Sequence, residues 1–562
     1  MPQPALRDLC LKLIAPSVDR FLALQWSDGR FAAEPERDTE EWDFYQQQYL
    51  LPAALLYTLE DPRNPWRGDA RLWQAILRNG RHLVSRVAPD GSMTWRLRGV
   101  VLEHPFVCQR LTCAWLMAYQ RLARCLPEAD AELWRSTILR ACEWLVQRHL
   151  LPHREVQRFT SHDVGTGTNH FSLYLSLIYL AGRELGKPDW VGLSSGLMKR
   201  LIADQRPGGY WEEHHGPTLA YNYLTYHGVD QYTAWSGDEL GKEALRRGLA
   251  LHRHWTFPDG TAVECVDGRV RHQSGVWPWG LAGFTRWPEG RGFARLLIES
   301  MEGRELSGEM LARLADAFLM LHEGEEESPP QAHALYRATL DQVSVVHKEG
   351  PWLYGLSGHC SPRWPENQFC LDRQALASVW REGIGLVLDG SNSKCQPGLA
   401  TFCRGAGEQA DSLPLKAELL TTGEEGEEAV EVSYASFTAT LRARVVDSAS
   451  LELAASVRAQ PGPEQVMLTL VPNTSFGERV ILPGGAEVML REEPIAARVG
   501  ASGGTLAFGN MQMRLPPQTL IEYPISPFNS YSADNTSPPS ANRLVVRSPV
   551  GEEWTRFLFV SS

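Results

Sequence analysis

The sequence has no C-x-x-C pair and no Cys/His spacing of the kind that holds zinc, although ten cysteines are spread over its 562 residues. Most of them lie in apolar stretches such as CAWLMAY and ACEWLV, which predicts reduced core thiols. No run reaches the roughly 20 apolar residues of a membrane-spanning helix. The first residues, MPQPALRDLCLKLIAPSVDRFLAL, mix both charge signs and lack the basic start and unbroken apolar stretch of a secretion signal. A cytoplasmic protein is therefore expected, or a secreted or periplasmic one if a leader has been removed. Positive charge is also short: 55 Lys and Arg face 67 Asp and Glu, for a net charge of -12. That balance argues against nucleic acid as a partner, which needs a positive surface. It leaves room for a local basic pocket that takes an acidic ligand. No membrane partner is expected, and the sequence specifies no oligomeric state.

What is present divides into two halves. Residues 1–325 read as helices, with apolar residues at i, i+3, i+4 and i+7 in LWQAILRNGRHLVSRV, LTCAWLMAYQRLARCL and LWRSTILRACEWLVQRHLL. Between them a Gly turn followed by a short extended piece recurs, as QWSDGRFA, VAPDGSMTW, QRPGGYWEE and FPDGTAVE. Such spacing predicts an (α/α) toroid, an incomplete barrel of helical hairpins that send their loops to one end. HEGEEESPPQAH, residues 322–333, reads as a linker. Residues 326–562 then alternate with period two in LDQVSVVHKEG, EEAVEVSYASFTATLRARVVD, SLELAASVRA and NRLVVRSPV, which predicts an antiparallel β-sandwich. The expected class is thus α+β and multidomain.

Three stretches concentrate chemistry. In GTGTNHF, residues 165–171, Thr168 or Asn169 is expected to cap a helix running through Leu180. A helix N-terminus offers free N–H groups and the positive end of the macrodipole, so Asn169 and His170 there could grip a carboxylate. An aromatic, titratable segment follows at 207–235: Trp211, Glu212, Glu213, His214 and His215 in a loop, then a helix opened by Pro217 at its first position. Tyr221 falls one turn above Pro217, and Tyr223 points well away from it, so only one of the two reaches any given substrate atom. Tyr226 and Tyr232 are expected in the core. In VDGRVRHQSGVWPW, residues 266–279, Arg269 and Arg271 share one side of an extended segment, suited to a carboxylate or sulfate. A further polar loop carries His359, Arg363 and Asn367. The 19 tryptophans allow stacking platforms for sugar rings.

A helical toroid before a sandwich, an Asn-His pair opening a helix, and a Gly-Gly…Glu…Tyr segment about fifty residues later resemble the polysaccharide lyases of the heparinase II/III and alginate lyase type. The resemblance implies β-elimination at a uronic acid in an acidic oligosaccharide or polysaccharide, with no cofactor and no metal. It implies that Asn169 and His170 neutralise the uronate carboxylate and that Tyr221, or Tyr223 as second choice, moves the proton together with His215. Trp211, Glu213, His214, Arg269 and Arg271 are the expected substrate-binding residues. Where that family has an E-S-x-x-Y stretch this chain reads EEHHGPTLAY, and its His-x-His stretch is replaced by GHCSP. Two other classes stay open from the residues alone. An inverting glycoside hydrolase on a similar toroid would use Glu212 or Glu213 with Asp163 or Asp259, and a non-catalytic glycan-binding protein would use the tryptophans.

Overall fold

The computed structural model describes residues 4–33, 40–97, 100–213, 216–266, 275–360, 375–390, 399–422, 426–491, 493–529, 532 and 534–561. The chain forms two compact units. One comprises Met1–Glu213, Ala220–Ala250 and Val276–Pro329; the other comprises His214–Leu219, Leu251–Gly275 and Pro330–Ser562.

The first unit is a helical toroid. Its inner helices, Leu50–Thr58, Pro105–Leu122, Thr168–Glu184, Leu219–Ser236 and Gly308–Met320, are buried along most of their lengths. A helix apolar on every side must be surrounded by other elements. The outer helices are amphipathic. Ala70–Arg86 buries Leu72, Ala75, Ile76 and Leu83 and exposes Arg71, Arg78 and Arg81. It starts where the sequence supplies a cap, with the Asp69 carboxylate accepting from the N–H groups of Arg71 and Leu72. The ring closes because the first helix, Leu6–Ile14, packs on the last, Gly308–Met320. Arg7 secures that closure by donating to the carbonyls of Phe318 (3.0 Å) and Leu321 (2.8 Å).

The recurring Gly turns are one repeated device. Gly29, Gly91 and Gly209 adopt φ of 91°, 93° and 88°, a region that favours glycine. In each case a β-carbon would strike a helix carbonyl, that of Arg78, Arg140 or Arg247. Gln25 and Gln205 even make the same pair of bonds, the first to Gly29 O and Ala75 O, the second to Gly209 O and Ala244 O.

The second unit is an antiparallel β-sandwich. Leu335–Leu340, Ser344–Glu349, Trp352–Ser357, Ala377–Arg381 and Gly385–Leu388 form a five-stranded meander in sequence order. A nine-stranded sheet and a second five-stranded sheet follow, and every strand pairing among the described residues is antiparallel. Phe437–Asp447 alternates buried and half-buried along most of its length, the period-two pattern expected of a strand with one face on a core. Phe402, Leu441, Leu453, Leu468, Phe557 and Phe559 are fully buried in that core.

Candidate functional site

The site is built on two inner helices, Thr168–Glu184 and Leu219–Ser236. Gly167, not Thr168 or Asn169, is the N-cap of the first. Thr168 is inside the helix because its single hydroxyl donor is taken up by tertiary contacts, shared between the carbonyls of Phe159 and of Glu212 (2.9 Å). Those two contacts draw segments 158–159 and 212–213 against the first helical turn. The helix also runs four residues past Leu180, to Glu184, since buried packing continues along it.

Asn169 is 1% exposed. Its Oδ1 accepts from the N–H of His170 at 2.7 Å, while Nδ2 has no hydrogen-bond partner among the described residues. A buried amide donor left unpaired is costly, so Asn169 Nδ2 calls for a partner such as a water, an ion or a ligand group. His170 is half-buried, with Nδ1 3.0 Å from Thr166 Oγ1 and its ring stacked on Phe106 at 5.2 Å. Glu213 is buried and shares the space over the Gly167 α-carbon with Asn169.

The second helix begins at Leu219, two residues later than the expected start at Pro217. Contacts between the helices run in register. Ser172 meets Gly228, and one turn on Ser176 Oγ lies 3.1 Å from Gln231 Oε1. Both numbers rise together, so the helices are parallel and their N-termini lie at one end. Asn169, Ser172 and Ser176 form one stripe (i, i+3, i+7), and Tyr221, Thr225 and Gly228 form the facing stripe (i, i+4, i+7). At about 1.5 Å per residue, Tyr221 stands roughly one turn beyond Asn169, above the open N-terminus of its helix. Tyr221 is half-buried. Tyr223 is on another face, 2% exposed and edge-on to Phe284 at 6.1 Å. Tyr226 and Tyr232 are core residues, 0% and 1% exposed.

The other expected residues fall as follows. Trp211 is buried, and its indole N–H donates to Leu201 O at 2.8 Å, so it packs within the unit. Glu212 is half-buried between Arg206 (2.6 Å) and Arg158 (3.6 Å). His214, His215, Arg269, Arg271, Arg363 and Asn367 lie outside the described residues. In the second unit, His359 packs against Gly216, where a β-carbon would strike its ring. Asp163 is exposed and bonded to Thr160 at 2.5 Å; Asp259 accepts from Thr261 (2.6 Å) and from the Trp380 indole (3.2 Å). The Cys residues at 10, 108, 113, 142, 265 and 403 are buried free thiols, Cys360 is half-buried and Cys125 exposed. No group of three or more His, Cys, Asp or Glu among the described residues could hold a metal ion. No helix among them is long and apolar enough to cross a membrane.

Sequence reasoning missed a buried polar network in the toroid. Arg110 and Glu309 form an ion pair, and the Trp279 indole lies 4.9 Å from both the Arg110 and the Arg313 guanidinium. Gln231 donates to Asp316 at 2.8 Å, and His227 Nε2 is 3.3 Å from the same carboxylate. His227 Nδ1 accepts from Gly280 N at 3.2 Å, and burial pushes the imidazole well below its ordinary value. The available signal was Arg313 and Asp316, charges three apart within the apolar helix GEMLARLADAFLM. Almost wholly buried charges are rare unless paired.

No protein-family model and no curated protein matches this sequence. Its fold is that of solved polysaccharide lyases. A structure of heparinase III matches with a TM-score of 0.53 at 11% identity, covering 96% of this chain and 80% of that one. A chondroitin AC lyase variant from Streptomyces coelicolor A3 matches with a TM-score of 0.51 at 12% identity, covering 99% and 82%. At such identity the likeness is one of architecture, a toroid followed by a sandwich over nearly the whole chain.

Proposed function

We propose that this protein is a polysaccharide lyase that cleaves a uronic-acid-containing glycan by β-elimination. The observation that carries this reading is the buried Asn169 amide, whose Nδ2 has no hydrogen-bond partner among the described residues, in the first turn of a 17-residue helix, with Tyr221 on the facing stripe one turn beyond it. The two structural matches, heparinase III and a chondroitin AC lyase, agree with it.

The chemistry fits those groups. The C5 proton of a uronate is a poor acid while the adjacent carboxylate is charged. Asn169 Nδ2, the helix N-terminus and His170 stabilise the enolate-like charge that develops as the proton leaves. Tyr221 as phenolate takes the C5 proton; the electron pair forms the C4–C5 double bond and expels the 4-O-linked sugar. Tyr221 then gives that proton to the leaving oxygen; in the alternative, His215 as imidazolium protonates the oxygen and regains a proton as Tyr221 returns to phenolate, so atoms and charge balance. A phenol titrates near 10 when unperturbed, so a cation beside it is required. His214, His215, Arg269 and Arg271 are the candidates by sequence position. Glu213, beside Asn169, supplies an acceptor for a sugar hydroxyl.

The test is incubation with a panel of uronic-acid glycans. Elimination creates a conjugated double bond that absorbs in the ultraviolet. New reducing ends without that absorbance would mean hydrolysis, and binding without either would mean a glycan receptor. Asn169→Ala and Tyr221→Phe are each expected to lower kcat by about 10²–10³. Wild-type elimination in both variants would defeat the assignment.

A further inference from the structure

We infer that the contact between Gly228 and Ser172 is a positioning element of the elimination site, an inference that rests on the reading of Asn169 and Tyr221 above. Gly228 lies in the interior of a helix, where glycine weakens the helix relative to alanine. Its value there is clearance. A β-carbon at 228 would sit 2.6 Å from Ser172 Oγ, 2.8 Å from the Ser172 carbonyl carbon and 2.9 Å from its Cβ. Real β-carbons essentially never approach so closely, so a side chain at 228 forces a shift at the crossing, and the backbone carbon of Ser172 can yield only by moving its helix.

Ser172 has little freedom to yield. Its hydroxyl donates to Asn169 O at 2.7 Å, which ties the contact directly to the amide-bearing residue. One turn further along, the crossing is anchored on the other side. Ser176 meets Gln231 at 3.1 Å, and Gln231 donates to the buried Asp316 at 2.8 Å. The helices are held together below the Gly228 contact, and the candidate site lies above it. A wedge at 228 therefore opens the end that carries Asn169 and Tyr221. Gly228 touches no substrate in this account. It acts through the separation of the group that grips the carboxylate and the group that moves the proton.

The experiment compares full-length Gly228→Ala, the double variant Ser172→Gly/Gly228→Ala, Asn169→Ala and Tyr221→Phe on a glycan that the wild type eliminates. Gly228→Ala is expected to lower kcat about 30-fold or more with KM changed less than about threefold, because misplacement by about 1 Å can cost 10²-fold in rate. The double variant removes two of the three colliding atoms and is expected to regain about tenfold of that loss. Circular dichroism and thermal unfolding verify that each variant is folded. If Gly228→Ala fails to fold, Ser172→Thr adds a methyl group to the same crossing from the other helix and is expected to show the same loss confined to kcat. The inference is overturned if the folded crossing variant turns over within threefold of wild type while Asn169→Ala and Tyr221→Phe are inactive. It is equally overturned if the double variant regains nothing. Wild-type rates in Asn169→Ala and Tyr221→Phe would instead sink the site assignment, a separable outcome.

Discussion

Asp230 accepts a hydrogen bond from the backbone N–H of Gly283 at 2.8 Å, deep inside the helical unit. Burial is the main reason its carboxyl is pushed up to about 7, against the opposing pull of Arg286 3.4 Å away. Asp316 is likewise pushed up to about 6 by burial. A raised carboxyl value in the folded state means that the native protein holds the proton more tightly than the unfolded chain, whose Asp titrates near about 3.9. The stability tied to Asp230 is therefore fully present below about pH 4 and is lost as pH rises to about 7. Buried histidines act in the opposite sense. His252 is pushed down to about 3 and His82 and His149 to about 4, so their contribution is present above the ordinary His value and lost as pH falls.

A single variant isolates the Asp230 part of that sum. Asp230→Asn keeps an acceptor for Gly283 but cannot ionise. Its melting temperature relative to wild type should climb between pH 4 and pH 7, by several degrees, and stay level outside that window. A difference that is flat with pH would show that Asp230 does not change its proton affinity on folding.

Glu309 and Arg110 carry a different expectation. Both side chains are about nine-tenths buried, so removing one partner leaves the other charge out of water and unpaired. Glu309→Ala should lower the unfolding free energy by about 3–5 kcal/mol in a denaturant titration. Replacing both, as Arg110→Met/Glu309→Leu, should recover most of that loss, since well-packed apolar residues often substitute for a buried ion pair. Equal destabilisation of the single and double variants would place the loss in Trp279 packing instead.

Gly167→Ala should act on the site and spare the fold. The backbone there, φ −61° and ψ 144°, suits any residue. The added methyl would strike Asn169 Oδ1 and sit 2.8 Å from Glu213 Oε1. We expect elimination activity to fall at least about tenfold while thermal unfolding is little changed. A matching loss of stability would mean that the space serves packing alone.

The sequence by itself determined the kinds of element and their order. Helical period, strand period and Gly turns are local properties, and they survive folding because burial of one face enforces them. Four similar turn motifs marked the toroid, and three of them place a left-handed Gly beneath an Arg carbonyl. Local pattern also marked Asn169 as opening a helix, although the hydroxyl of Thr168, drawn to Phe159 and Glu212, moved the cap to Gly167. The sequence already set Tyr221 apart from Tyr223 and put it first; tertiary structure added which of the two faces that helix end. Tyr221 and Tyr223 are equally aromatic and two residues apart, and the choice follows from a helix crossing at Ser172 and Gly228, 56 positions apart in the chain. The buried network around Trp279 was hidden for the same reason. Arg110 and His227, and Gln48, which donates to Glu309 at 3.3 Å, are distant in sequence from the helix that carries Glu309 and Asp316, and closing the ring of helices is what gives each charge its partner.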